Sequence, residues 1–132
     1  MGRKSNPEAW KKRKKSLFVK DLMEYASFTP AMAADYLGIS ENYFNCKLHR
    51  DSWSLGELQL LVYASGLHFW VMDKDGKLWK SISLEDWYPT DAEQVDAIRK
   101  RYDDEQIKQK REEYETLKQT LAAMKETYGF ED

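Results

Sequence analysis

Five consecutive cations, Lys11, Lys12, Arg13, Lys14 and Lys15, precede a block, Phe28 to Leu48, that reads as two short helices hinged on Gly38. A cationic run of this kind neutralises phosphates and releases their counterions. A second helix across such a hinge can lie in a DNA major groove. Other candidate chemistry is thinner. Cys46 and His49 lie three apart and His68 stands elsewhere, but no second Cys/His pair sits at ligand spacing, so no metal site is expected. Asp73-Lys-Asp-Gly76 has the composition of a calcium-loop fragment, yet Val71 and Ile82 stand where the first and twelfth ligands belong, which leaves a turn. No glycine-rich phosphate loop and no nucleophile with a matching histidine and carboxylate is present. The expectation is a non-enzyme without a cofactor.

The charge distribution supports phosphate contact at one end. The 132-residue chain has a net charge of only -2, but residues 1–20 hold eight Lys/Arg against one acid, Glu8. Residues 85–132 hold eight basic and fourteen acidic side chains. Such polarity suits nucleic acid at the basic end and solvation or partner pairing at the acidic end. A single cysteine, Cys46, excludes an internal disulfide and points to a reducing compartment. No apolar run approaches the ~20 residues that span a bilayer, so a cytoplasmic protein without membrane contact is expected.

The elements that must position these residues follow from caps and periodicity. Asn6-Pro7-Glu8 is a helix-start signal, but the repulsive Lys11–Lys15 run favours a mobile arm and a first helix from about residue 16 to residue 27. Leu17, Phe18, Leu22, Tyr25 and Ala26 mark its apolar face, and Trp10 is read as a core residue. Thr29 caps a second helix that ends at Gly38, Ser40 caps a third over 41–49, and Ser54 with Glu57 forms a capping box for a fourth that runs to Gly66. Phe44 and Leu48 should face inward, and Cys46 should be half-buried. The period then changes to strands over 67–72 and 77–82 about Asp75-Gly76, a hairpin turn. Thr90-Asp-Ala-Glu93 reads as a second capping box opening a helix towards Tyr128. Its stripes, Val95/Ile98/Tyr102 and Ile107/Tyr114/Leu117/Leu121/Met124/Tyr128, change phase across 103–106, where a kink, a restart or a change of partners is expected. A two-stranded hairpin apolar on both faces and an amphipathic terminal helix both call for a partner.

Residues 16–66 resemble the lambda-repressor/Cro-type helix-turn-helix domain, the XRE family. The resemblance rests on Thr29, Ala34 four residues before Gly38, the Leu37-Gly38-Ile39-Ser40 corner, Phe44 and the Leu55–Ala64 helix. The hairpin is similar to that of small mobile-element regulators. The last forty-five residues have no counterpart in the family, and Pro30 stands where the family usually has a polar residue, often glutamine. The resemblance implies a recognition helix opening at Ser40, with Glu41, Asn42, Tyr43, Asn45 and Lys47 outward. In that role Asn bonds adenine edges, Glu accepts from cytosine and Lys meets guanine or phosphate. Thr29, Ser40 and Arg50 would contact the backbone.

The expected architecture is therefore mainly α. A basic arm (1–15) leads into a four-helix lambda-repressor-like head (16–66), then a β-hairpin and linker (67–88) and a C-terminal helical segment (89–132). Two functions from different classes fit. One is a homodimeric transcriptional regulator binding double-stranded DNA at an inverted repeat, with Phe69, Trp70, Val71, Trp79, Tyr114, Leu117, Leu121 and Met124 between the two chains. The other is a phage- or mobile-element-encoded adaptor or inhibitor whose head is a scaffold and whose last helix binds a host protein.

Overall fold

A computed structural model describes residues 14–128 of the chain. The arm residues Lys11, Lys12 and Arg13, together with Trp10 and the Asn6-Pro7-Glu8 signal, lie outside the described residues, as does Gly129. The described part is mainly helical. Six helices and one hairpin run in the order α1 (Lys14–Ala26), α2 (Pro30–Leu37), α3 (Glu41–Arg50), α4 (Leu55–Ala64), β1 (Trp70–Met72), β2 (Leu78–Ser81), α5 (Leu84–Trp87) and α6 (Pro89–Tyr128). The chain divides into two compact units between Ile98 and Arg99.

In the first unit, α1 to α4 enclose one core of Val19, Leu22, Ala33, Ala34, Phe44, Trp53, Leu61 and Val62. Phe44 and Trp53 meet edge-on at its centre, with ring centroids 5.6 Å apart. The inward face of α1 is only partly the one its apolar residues mark, with Leu22 buried and Ala26 half-buried as expected. Ser16, Val19 and Leu22 are buried, while Leu17, Phe18 and Tyr25 are exposed. Ser16 belongs inside because its polar atoms are used there. Its amide donates to Asp51 Oδ1 (2.7 Å), its hydroxyl donates to the Leu48 carbonyl (2.7 Å), and that hydroxyl oxygen accepts from Trp53 Nε1 (2.9 Å). Hydrogen bonding removes the usual penalty for burying a hydroxyl.

Local chemistry sets the helix ends much as the caps indicate. Thr29 Oγ1 accepts from the Met32 amide, Ser40 Oγ from Tyr43, and Ser54 with Glu57 completes a capping box. Gly38 is left-handed at φ 71, so its own amide and that of Ile39 return to the Asp35 and Ala34 carbonyls and close α2.

The hairpin is shorter than the sequence suggested and has a three-residue loop. The Asp73 amide donates to Lys77 O and the Gly76 amide to Asp73 O, with Gly76 at φ 83. A type I turn followed by a left-handed residue produces this closure. β1 and β2 pair antiparallel, with a register irregularity between Val71 and Met72. Gln59 of α4 anchors the hairpin's base by donating to the Ile82 carbonyl (2.6 Å), and Ser83 Oγ accepts from the Phe69 amide (2.8 Å).

Two features of the linker region differ from expectation. The short helix α5 occupies part of what read as linker, with Leu84 buried. Helix α6 opens at Pro89, not on a Thr90 cap, because proline with its fixed φ suits the first helical position and the Ala92 amide already reaches the Tyr88 carbonyl. Ala92 and Val95 bury the start of α6, and Tyr63 of α4 donates to Asp96 (2.9 Å). The helix does not restart at 103–106: those residues are helical.

The second unit consists of helix α6 from Arg99 onward. Ile107, Tyr114, Leu117, Leu121, Met124 and Tyr128 are all exposed on it. No helix among the described residues is long and apolar enough to cross a membrane.

Candidate nucleic-acid interface

Helix α3 has two distinct faces. Phe44 and Lys47 are buried and Leu48 is half-buried, while Glu41, Asn42, Tyr43, Asn45, Cys46, His49 and Arg50 are exposed. At 3.6 residues per turn, Asn42, Cys46 and His49 lie along the line opposite the core, with Asn45 to one side and Tyr43 and Arg50 to the other.

Lys47 corrects the outward set expected from the sequence. Its Nζ is 2.9 Å from Glu57 Oε2, donates to the Ser52 carbonyl (2.8 Å) and lies 5.6 Å from the centroid of the Trp53 ring. Two polar partners, Glu57 and the Ser52 carbonyl, and the aromatic face hold it between α3 and α4, so it is a structural cation. Its position one turn before Asp51 places it on the α4 side of the helix, which helical spacing alone did not resolve. Tyr43 covers it from outside, with the Lys47 Nζ 5.3 Å from the ring centroid. Cys46 is exposed, not half-buried, because it lies a full half-turn from Phe44.

The N-terminal end of α3 retains its donors. Ser40 Oγ is used as an acceptor by the Tyr43 amide, which leaves the hydroxyl proton able to donate. The amides of Glu41 and Asn42 stand in the first turn, where a helix supplies no acceptor. Thr29 is likewise a cap for Met32, but Pro30 removes one donor from the start of α2.

The cations divide into two groups. Lys14 is exposed on α1. Lys15, read as part of the arm, is instead helical and donates to the Trp53 carbonyl (3.3 Å), which ties it to the loop before α4. Lys20 was not among the expected contact residues. It lines an open cleft of about 360 Å³ between α1 and α3 together with Ser16, Leu17, Asn45, Leu48 and His49. A lysine and a histidine therefore flank Asn45. The signal for Lys20 lies in the helical phase of α1: it falls one residue after buried Val19 and three after exposed Leu17, on the same side of the helix as Leu17.

The residues expected between chains also separate. Phe69 is half-buried and packs against the head's own core, so much of its surface is already used within the chain. Trp70, Val71, Met72, Leu78 and Trp79 are exposed on the hairpin, Trp79 to 72%. His68 stacks on Trp70 with centroids 4.8 Å apart and lies 3.4 Å from Glu85. Among the described residues, no group of three His, Cys, Asp or Glu side chains is placed to hold a metal ion.

Comparison with protein-family models, with curated proteins and with solved structures finds no match to the chain.

Proposed function

We propose that the protein is a homodimeric DNA-binding regulator of the helix-turn-helix type, with α3 entering the major groove. The observation that carries this reading is the exposed outer face of α3, where Asn42 and Asn45 stand beside the uncommitted first-turn amides and the Lys20–His49 flank. Asparagine side chains can bond adenine edges in pairs, and amides with lysines suit phosphate. Arg50, exposed at the C-terminal end of α3, suits the backbone on the far side of the groove. The arm Lys11–Lys15 adds a sequence-independent, salt-dependent component, less the contribution of Lys15 that its bond to Trp53 already uses. Dimerisation belongs to the mechanism, because two such helices read half-sites about 34 Å apart.

Selection from a random duplex pool tests the proposal. The expected result is an enriched inverted repeat whose binding is lost on Asn42→Ala or Asn45→Ala. The same full-length chain on unselected duplex should bind weakly and lose affinity steeply with salt, and alanines at 11–14 should flatten that slope. No enrichment would overturn the regulator reading. It would favour the adaptor, for which the exposed apolar stripe of α6 is the supporting feature.

A further inference from the structure

Residues 107–128 of α6 carry a seven-residue pattern with an unequal charge on its two flanks. Ile107, Tyr114, Leu121 and Tyr128 take one seam position, and Lys110, Leu117 and Met124 the other. Tyr114, Leu117, Leu121 and Met124 are 42–63% exposed. The flank that follows the second seam position is wholly basic: Arg111, Lys118 and Lys125. The flank that precedes the first contains Glu113, Thr120 and Thr127 and no cation. Glu105, Glu112 and Glu126 lie on the back of the helix. Among the described residues, neither Glu113 nor Lys118 forms an ion pair within its own chain.

We infer that this segment pairs with the same segment of a second copy, parallel and in register, with Glu113 of each copy against Lys118 of the other. Two helices wound parallel bring each preceding flank against the following flank of the neighbour five residues on. In that arrangement Glu113 meets Lys118 twice and no like charges meet across the flanks. An antiparallel pair would instead set the two basic flanks against each other, where like charges repel. Lys110 is compatible with a two-stranded seam, because its stem covers apolar surface while its ammonium reaches water. A lone polar residue in a seam also fixes register. The inference rests on the homodimer part of the proposed function and is independent of whether that dimer binds DNA.

Charge exchange in the full chain, followed by sedimentation equilibrium at low salt, tests it. Both sites are exposed, so helix content by circular dichroism should be unchanged in every variant. Lys118→Glu and Glu113→Lys should each raise the dimer dissociation constant about tenfold, and the double exchange should return it to the original value. A monomeric parent chain overturns the inference, as does a Lys118→Glu variant that dimerises as well or more tightly, the antiparallel outcome. DNA mobility shifts on the same samples separate the two readings. Charge exchange that behaves as expected with no DNA binding sinks the regulator alone. DNA binding by a chain that ignores the exchange sinks the parallel pairing alone.

Discussion

Lys47 and Glu57 form a clamp between α3 and α4, with the ammonium 2.9 Å from one carboxylate oxygen and 3.1 Å from the other. The same carboxylate accepts from the Ser54 amide, so one acidic side chain both caps α4 and holds the lysine. Lys47→Ala should therefore destabilise the head by about 1–3 kcal/mol, because the Ser52 carbonyl and the carboxylate each lose a charged donor. Asn42→Ala, about one and a half turns away on the exposed face, should change stability by less than about 0.5 kcal/mol. Chemical denaturation of the two variants separates them. Equal losses would mean that the clamp contributes nothing.

The clamp also predicts an acid-sensitive head. Burial pushes the Glu57 carboxyl upward, but the Ser54 amide, the Lys47 bond and charge, and the Ser54 hydroxyl together hold it below its ordinary value of 4.5. A carboxyl lowered on folding contributes stability that is fully present above its unfolded value and is lost as pH falls through its folded value. The melting temperature should thus decline below about pH 4.5, and more steeply in the parent than in Glu57→Gln, whose amide does not titrate over that range. Parallel slopes in a pH series of thermal melts would refute this.

Ser16 supports the prediction least visible in the sequence. Its hydroxyl stands between the Trp53 indole and the Leu48 carbonyl, and both would lose their partner in Ser16→Ala. An unsatisfied buried donor or acceptor costs about 1–3 kcal/mol, so this small substitution should rank with large core truncations in urea denaturation. Trp53→Phe should cost less when combined with Ser16→Ala than the two single changes summed, since each removes the other's partner.

What the chain disclosed in advance and what it withheld divide along physical lines. Caps and corners were legible, because Thr29, Gly38, Ser40 and the Ser54–Glu57 box act through bonds to residues three to five positions away. The core face of α3 was legible from Phe44 and Leu48. Burial of polar side chains was not. Ser16, Lys47 and Gln59 are inside because partners at residues 48–53, 52–57 and 82 receive them, and those partners are set by tertiary packing. The exposed Leu17 and Phe18 misled for the same reason: hydrophobicity marked them, but the Ser16 network turned α1 to a different face. On the outer face of α3, Asn42 and Asn45 stand exposed as expected, whereas Lys20 entered only through the proximity of α1 and α3.

Truncation after Asp104 should separate folding from assembly. Among the described residues, the buried hydrophobic side chains lie at or before Val95, and the exposed seam begins at Ile107. The shortened chain should keep a cooperative melt within a few degrees of the parent, because no core residue is removed. It should sediment as a monomer, and its affinity for a selected inverted repeat should fall about a hundredfold, since two linked heads gain from effective concentration what one head lacks. The exposed hairpin supplies the alternative: if the truncated chain remains a tight dimer, Trp70, Val71, Met72, Leu78 and Trp79 are the surface that joins the copies. Trp79→Ser would then dissociate it without lowering its stability, because a side chain 72% exposed in the single chain contributes little to its fold.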